Sequence, residues 1–391
     1  MNRRFGLYGF LGLMMLALLA PNSVWAQAGG SAVPFLLIAP DARADGMGES
    51  GGAIADDATA ISWNPAGLAF QRGRDASLTH SSWLPQFNQS DLFYEYVAGK
   101  MYMPEIGGTI AGSITYLNLG EFVRTENDPT PLDTWKAYEF AVTAGYATQV
   151  FEDLGIGLNL RYIRSSLAPF EVQGQGREGV ANTFSFDIAT MWRPTSLVLP
   201  FIGDIEDRFR VGLNLSNLGP KVTYIDAAQA DPLPTNLRFS LGVQILKSQY
   251  NNLTIAADFS RLLIRRYPEV KTYTDLDSLG NIVDSTQFTK IDPYVDDLPK
   301  ALITTWDQDN VWKNFTIGGG FEYWYGSPRL IALRWGYFYE HPENGNRKFM
   351  TFGAGIRYSV FGFDFSYLSA VEENHPLGET LRFTLLVGEP E

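Results

Sequence analysis

Apolar and polar residues alternate along most of the chain from about residue 75 onward, in segments of strand length separated by turn residues. A period of two is typical of β-strands whose two faces meet different surroundings. Short connections between the segments favour an antiparallel, all-β protein. The pattern predicts about fourteen strands, at residues 76–83, 90–99, 108–117, 135–149, 155–165, 183–193, 208–217, 236–246, 252–263, 313–325, 329–340, 348–359, 360–369 and 379–388.

The segment at 135–149 shows the two faces most clearly. One face is apolar and has an aromatic residue near each end, Tyr138 and Tyr146, whereas the other carries small and polar residues. At a tilt of about 40° the two tyrosines stand roughly 20 Å apart along the membrane normal, close to the height of an apolar band between aromatic girdles. A soluble β-sandwich also alternates, but its outward face is the polar one. We therefore predict a transmembrane antiparallel β-barrel.

The connections have the asymmetry that such a barrel requires, with short inner turns and long outer loops. If the first strand runs outward, the inner turns are at 101–107, 151–154, 194–207, 247–251, 325–328 and 360. The outer loops are then at 84–89, 118–134, 166–182, 218–235, 264–312, 341–347 and 370–378. Only the inner turn at 194–207 is longer than expected.

Residues 34–70 show neither strand alternation nor a helical period, and they are rich in small residues. A barrel of about fourteen strands has a lumen too wide for its own side chains to fill. We therefore predict an N-terminal plug or hatch at 27–75, held inside a barrel at 76–391; a flexible periplasmic leader is the alternative. The candidate plug residues are Pro40, Asp41, Arg43, Gly46, Gly48, Asp56, Asp57, Asn64 and Pro65.

The polar plug residues Asp41, Asp56, Asp57 and Asn64 are expected to meet arginines on the inner wall. Inward positions of the predicted strands supply several such arginines, namely Arg161, Arg210, Arg238, Arg334 and Arg357.

The N-terminus reads as an export signal. Arg3 and Arg4 precede an apolar run that ends near Ala20, and small residues surround a cleavage position after Ala26. Removal of residues 1–26 takes away two arginines and no acids, so the net charge changes from -13 to -15. Nucleic acid is a poor partner for so acidic a chain. An uncleaved membrane anchor is the alternative, and no later apolar run approaches the roughly 20 residues of a membrane helix.

Motifs for catalysis and cofactors are weak. The chain has no cysteine, which excludes disulfides, Cys-ligated zinc and a lipid-modified N-terminal cysteine. Residues 174–179 match the dinucleotide pattern G-x-G-x-x-G, but a strand follows instead of a helix. An acidic loop beginning at Asp275 places Leu279 and Thr286 where a calcium loop needs ligands. His80 adjoins serines, yet we expect it to be packed or to face the lumen. We predict no enzyme activity, cofactor or metal.

The outer loops are the expected sites of partner binding. The loop at 264–312 is too long for a simple connection, and it combines acids with aromatic residues, a mixture suited to a protein interface. A lid folded over the barrel mouth is an equally good interpretation. The candidate partner residues are Tyr224, Ile225, Tyr273, Phe288, Tyr294, Trp306, Trp312 and His375, the last of which is also a plausible turn residue.

Two stretches carry a family resemblance. Residues 53–60 followed by Asn64-Pro65-Ala66-Gly67 resemble the N-terminal hatch of the fourteen-stranded FadL-like barrels. The run at 34–44 with Gly46 and Gly48, together with residues 375–377 and 380–383 near the end, resembles the PorV branch of the PorV/PorQ family. Asp45 departs from the glycine expected there, and the last residues lack the usual terminal aromatic.

The resemblance implies an outer-membrane protein of the type IX secretion system. Such a protein is expected to associate with the translocon barrel, to bind cargo proteins through their C-terminal domains, and to deliver them to a sortase-like attachment complex. Its outward face would contact outer-membrane lipid. The alternative function is a FadL-like channel for hydrophobic small molecules, which predicts an apolar lumen, whereas the inward faces of the predicted strands are mostly polar.

Overall fold

The computed structural model describes most of the chain after residue 29. The described residues are 30–87, 91–124, 131, 133–171, 178–199, 203–205, 207–225, 230–267, 294–307, 311–373 and 375–389. The predicted signal at 1–26 and the candidate residues Tyr273 and Phe288 lie outside these ranges. The calcium-like loop and most of the glycine motif also lie outside them.

Fourteen antiparallel strands close into a barrel, which confirms the predicted fold. They are β1 (Arg74–Ser82), β2 (Phe93–Met103), β3 (Gly108–Arg124), β4 (Asp133–Phe151), β5 (Leu154–Glu171), β6 (Glu178–Trp192), β9 (Phe209–Leu218), β10 (Asn236–Lys247), β11 (Asn251–Leu262), β14 (Phe315–Tyr325), β15 (Ile331–Tyr339), β16 (Lys348–Tyr358), β17 (Phe361–Ala370) and β18 (Leu381–Gly388). Each strand pairs with its neighbours in this order, and β1 pairs with β18 to close the barrel.

The side chains sort by face as the alternation predicts. Outward residues such as Leu160 and Phe184 are exposed, whereas the residues between them, including Arg161 and Ser185, are buried toward the lumen. Aromatic rings follow one another around the outer end, where the ring centroids of Phe93 and Tyr116 are 6.0 Å apart. Because lipid cannot hydrogen-bond to a backbone, closure of the sheet satisfies every strand edge within the hydrocarbon.

His80 does not face the lumen as the sequence led us to expect. Its neighbours Thr79 and Ser81 are the inward residues, so strict alternation turns His80 outward. There its Nδ1 lies 2.7 Å from Oε1 of Glu95, in line with the outer aromatic residues.

Several strands run further outward than predicted. β3 and β4 continue to Arg124 and Asp133 beyond an irregularity in their pairing, and β5 and β6 reach Glu171 and Glu178. These extensions mix apolar residues such as Phe122 and Leu167 with polar residues without strict alternation, so the pattern that marks a membrane strand stops before the strand does. The barrel wall is consequently higher along β3–β6 than elsewhere.

Small elements occupy the longer connections. The inner turn at 194–207 contains a two-residue ladder between β7 (Val198–Leu199) and β8 (Gly203–Asp204), which accounts for its length. The described part of the outer loop at 264–312 contains β12 (Arg266–Tyr267) paired with β13 (Tyr294–Val295). It also contains the helix α3 (Leu298–Thr304). No helix in the described ranges is long and apolar enough to cross a membrane.

The N-terminal segment lies inside the barrel. It comprises a 3-10 helix at Pro34–Leu37, the short helices α1 (Ala42–Asp45) and α2 (Ala60–Trp63), and a 3-10 helix at Pro65–Phe70. Almost every residue between 39 and 69 is buried. The α1 helix contacts β16–β18, whereas Pro65–Phe70 packs against β3–β6 on the opposite wall. We call residues 30–73 the plug.

Candidate functional site

The plug is joined to the wall by buried ion pairs centred on Arg43. This residue lies on α1 and is 8% exposed. Its Nε and Nη2 each donate to the Glu322 carboxylate of β14 at 2.8 Å. Its Nη1 pairs with Asp56 and lies 3.3 Å from Asp57, both in the plug. Arg210 of β9 approaches Asp56 to 3.3 Å, so plug and wall charges alternate across the lumen.

The wall continues this series of charges. Arg334 of β15 donates from Nε to Glu322 at 2.7 Å and from Nη1 to Asp364 of β17 at 2.8 Å. Arg357 of β16 completes the series with a 2.7 Å contact to Asp364. Since every carboxylate here has at least one guanidinium partner, the desolvation of these charges is offset within the network.

A second attachment lies on the other side of α1. Asp45 pairs with Arg382 of β18 and accepts a 2.5 Å hydrogen bond from the Ser366 hydroxyl of β17. Further along the plug, the Gly52 amide donates to Asp258 of β11 at 2.9 Å. The plug is therefore tied to β9, β11, β14, β17 and β18 by polar contacts.

Other polar side chains of the plug cap the short helices within the plug itself. Asp41 caps α1 by accepting from a backbone N–H at 2.8 Å, and its second oxygen accepts from the Trp63 indole at 2.5 Å. Asn64 caps the following 3-10 helix, which Pro65 begins, and donates to the Thr190 carbonyl of β6 at 3.2 Å. Neither Asp41 nor Asn64 meets a wall arginine.

Of the four polar plug residues expected to meet wall arginines, Asp56 is the one that does so. Arg161 pairs at 2.8 Å with Asp187, a residue of the wall itself. Sequence reasoning did not identify Glu322 or Arg382 as partners of the plug. In the sequence, the feature that marks these two residues is a charged side chain at an inward strand position. This feature indicates that a residue faces the lumen, but it does not indicate its partner.

Two glycines let the plug backbone touch the wall. Gly48 has φ +68°, and a Cβ at this position would lie 2.5 Å from the Tyr337 carbonyl oxygen of β15. Its N–H donates to the Thr351 hydroxyl of β16 at 2.8 Å. A Cβ on Gly46 would lie 3.0 Å from the Gly353 Cα. Any larger side chain at Gly48 would thus displace the plug from the wall.

A small polar cavity remains on the outer side of the plug. It has a volume of about 50 Å³, and Pro40, Trp63, Arg161, Asn214 and Arg238 contribute to its lining. This volume and lining suit a water molecule better than an apolar solute. Within the described ranges, no cluster of three or more histidine or acidic residues is arranged to hold a metal ion.

The outer end presents a helix and exposed aromatic residues. Trp312 is 77% exposed, Ile303 of α3 is 75% exposed, and Trp306 is 42% exposed. The buried guanidinium of Arg261 lies 4.5 Å from the centre of the Trp306 ring and donates to the Thr305 carbonyl. The loop is therefore fixed to β11 beneath its apolar surface. We call residues Tyr294–Trp312 the outer platform, as far as they are described.

Tyr294 and Asp296 anchor the other side of the outer platform. The ring of Tyr294 stacks on Tyr267 at 4.3 Å. Asp296 is 4% exposed and accepts hydrogen bonds from Lys300 at 2.6 Å, Thr304 at 2.7 Å and Tyr267 at 3.2 Å. Burial opposes ionisation of Asp296, but these hydrogen bonds outweigh it and lower the pKa of the carboxyl below its ordinary value.

The remaining loop candidates occupy different surroundings. Tyr224 turns toward the lumen, where its hydroxyl donates to Ser165 of β5 at 2.9 Å, and Ile225 beside it is half-buried. His375 accepts from the Leu377 amide at 3.2 Å within its own turn. The structure thus places Tyr294, Trp306 and Trp312 in one loop, and Tyr224, Ile225 and His375 apart from it.

Comparison with known proteins bears on this arrangement. The model of the family described as "Type IX secretion system protein PorV" matches residues 25–269. No curated protein matches the chain. Among solved structures, the Ralstonia pickettii toluene transporter TbuX is similar over 90% of this chain and 98% of its own, at 14% identity and a TM-score of 0.49.

Two further structures are similar to a comparable degree. The Pseudomonas putida toluene transporter TodX is 11% identical over 94% of this chain and 99% of its own, with a TM-score of 0.47. A Pseudomonas aeruginosa FadL homologue is 13% identical over 93% of this chain and 100% of its own, with a TM-score of 0.44. At these identities the likeness extends to the fold alone.

Proposed function

Because the chain belongs to the PorV family of type IX secretion system proteins, we propose that it carries exported proteins at the outer membrane. In this role it binds the C-terminal domain of its cargo at the outer end of the barrel and associates with the translocon barrel. It then delivers the cargo to a sortase-like attachment complex at the cell surface. The family and the barrel fold make it an outer-membrane component of the secretion system.

The outer platform is the observation that carries the proposal. Large apolar side chains exposed to water are uncommon on a surface without a partner, and tryptophan is enriched among residues that dominate binding energy. Trp306 and Trp312 are presented on a loop that Arg261 and Asp296 already hold in place. A preformed loop loses little conformational entropy on binding, which favours a protein docking surface.

The filled lumen supports a binding role over conduction. Arg43, Asp56, Glu322, Arg334 and Asp364 cross the described part of the lumen as buried charges. A FadL-like channel for hydrophobic small molecules is the second candidate, and the toluene transporters share its fold. An apolar solute on that route would have to pass these charges, which is unfavourable.

The proposal assigns no catalytic step, cofactor or metal to the protein. The outward face between the girdles contacts outer-membrane lipid, and residues 1–26 are removed on export. In this role the protein contributes recognition and handover of cargo.

Deletion of the gene and substitution of the outer platform test the proposal together. Deletion is expected to leave cargo in the periplasm, and the double variant Trp306→Ala, Trp312→Ala is expected to lower surface cargo severalfold. Tyr358→Ala is the matched control, because Tyr358 is also 77% exposed but lies at the inner end. Normal secretion combined with lost uptake of a hydrophobic nutrient would instead establish the channel. Co-purification of a very large outer-membrane barrel is a further expected result.

A further inference from the structure

One strand of the barrel has an unpaired edge at its outer end. β6 pairs with β5 over its whole length, from Trp192 to Glu178. On its other side, β9 pairs with β6 only as far as Phe186, because β9 ends at Leu218. Among the described residues, the stretch Glu178–Phe184 therefore has a ladder partner on one side only. We call this stretch the free edge.

The backbone of the free edge points to the side that β9 has left, which we call the gap. A Cβ on Gly219 would lie 2.4 Å from the Phe184 carbonyl oxygen, so this carbonyl is directed toward the gap and Gly219 packs against it at the inner end of the gap. Alternate residues of a strand direct their N–H and C=O groups to the same side. Val180 and Asn182 therefore present their backbone groups to the gap as well. Pro220 follows Gly219 and has no N–H with which to continue the ladder.

The free edge lies at and beyond the outer aromatic residues. The rings of Phe184 and Tyr162 are 5.3 Å apart in the outer girdle, and the six residues before Phe184 extend outward from it. Unpaired backbone is not tolerated in hydrocarbon, but it is tolerated above the girdle, where water or a partner chain is available. A lipid chain has no hydrogen-bonding groups to offer this edge.

Between Val180 and Phe184 the free edge lacks the devices that usually prevent strand pairing. Native edges are commonly protected by charge, proline or a bulge. Apart from Glu178 at its outer tip, the free edge reads Gly-Val-Ala-Asn-Thr-Phe and contains neither charge nor proline. Behind the edge, Ala181 belongs to one buried cluster with Val222 and Leu233, so the strand is supported from the lumen side.

We propose that the free edge of β6 is a docking site for one extended strand of a protein bound at the outer end of the barrel. Only an extended backbone matches a row of alternating donors and acceptors. The gap is roughly 23 Å long, which accommodates a strand of about seven residues. The incoming strand runs antiparallel to β6, continuing the direction of β9. This inference rests on the proposed function in that its partner is a protein bound on the outer side.

Proline substitution tests the backbone contact. Val180→Pro removes an N–H that faces the gap and leaves the bonds to β5 intact, and proline is tolerated at such an edge position. Val180→Thr is the control, since it retains both the N–H and the β-branched shape. We expect about a tenfold weaker association with the partner for Val180→Pro, corresponding to the loss of one backbone hydrogen bond and of close approach. Equal heat-modifiable migration on gels shows that both variants fold.

Cross-linking tests the identity and register of the occupant. The chain has no cysteine, so Val180→Cys, Asn182→Cys and Phe184→Cys each introduce a single thiol. Thiol-specific cross-linking in intact cells is expected to join these three positions to partner residues spaced by two, in reverse order. Met350→Cys is the control, because Met350 faces outward on β16, which is paired on both sides.

The outcomes separate this inference from the proposed function. Adducts in antiparallel register that Val180→Pro abolishes would support the docking strand. Adducts containing only peptides of this chain, from the same or a second copy, would overturn it, as would no adducts or adducts in scattered positions. If cargo secretion depends on the protein but the adducts are absent, scattered or contain only peptides of this chain, the proposed function would be retained and the docking strand rejected.

Discussion

Arg43 is the residue through which the plug and the wall become one structure. It contacts two acids of the plug and one of β14, and all these groups are largely removed from water. A buried ion is stable only while its partners are present, since removal of one partner leaves the others desolvated. The stability of the closed barrel thus depends on a side chain outside its sheet.

Replacement of Arg43 by methionine should destabilise the folded protein by about 3 kcal/mol, because Glu322 and Asp57 lose their plug partner in a buried site. Arg74→Met is the matched control, since Arg74 is 74% exposed and pairs with the exposed Glu389. Its expected cost is below about 1 kcal/mol. Urea titration of both variants in lipid vesicles measures the free energies of unfolding, and equal values would contradict the role of Arg43.

Asp296 gives the outer platform a dependence on pH. Its carboxyl pKa is lowered in the folded protein, so ionised Asp296 stabilises the loop above the ordinary aspartate value. That contribution is lost as the pH falls through the lowered value. Amide hydrogen exchange in Leu298–Thr304, corrected for intrinsic rates, should therefore accelerate from pH 7 to about pH 3.

Substitution of Asp296 by asparagine should remove most of this pH dependence and speed exchange at pH 7. Asp297→Asn is the control, because the Asp297 side chain is 82% exposed and makes no capping hydrogen bond to the helix. Its exposed ion pair with Lys221 contributes little, so the profile should stay nearly unchanged. An Asp296→Asn profile that matched the unmodified protein would show that other groups hold the loop.

At the residue scale, the sequence located many site residues without giving their partners. Asp56 was expected to meet one of several inward arginines because all were assigned to the lumen, and it meets Arg210. Asp45 and Arg382 are 337 positions apart, and nothing periodic in the plug fixes which way α1 faces. Their pairing depends on the three-dimensional position of the plug, which local patterns do not encode.

At the scale of elements, the strands were predictable because each one satisfies a local requirement. Residues facing lipid must be apolar, and their neighbours face a polar lumen, so the period of two is enforced along each membrane strand. The outer extensions of β3–β6 lie beyond the membrane strands, where strict alternation is not required. The alternation therefore did not predict how far these strands extend. The free edge of β6 arises where one such extension outruns its neighbour β9.

The position of the plug depends on its turn at Gly48. Substitution of Gly48 by alanine should destabilise the protein by about 1–3 kcal/mol, because it combines a left-handed backbone with a clash against the Tyr337 carbonyl. Gly112→Ala is the matched control, since a Cβ there would meet only one atom, at 3.7 Å. The midpoint of urea unfolding reports both effects, and an unchanged midpoint for Gly48→Ala would mean that the plug is not held tightly at this turn.

At the scale of the whole molecule, the barrel has two unlike ends. The inner end has short turns, whereas the outer end carries the long loops, the high wall of β3–β6 and the outer platform. With an even number of strands, both termini lie at the inner end, which is the periplasmic side in outer-membrane barrels.

Single cysteines test this orientation directly, because the chain has none of its own. Trp312→Cys on the outer platform should react with a membrane-impermeant maleimide on intact cells. Glu105→Cys, in the exposed inner turn at Pro104–Ile106, should react only after the cells are broken. The reverse pattern of labelling would invert the assignment of the two ends.

The ion pairs of the plug join residues that are synthesised at very different times. Arg43 and Asp45 leave the ribosome early, yet their partners Glu322 and Arg382 belong to the closing quarter of the chain. The plug therefore cannot form these ion pairs until the last strands of the barrel have been synthesised. A chain interrupted before β14 would therefore lack both wall partners of α1.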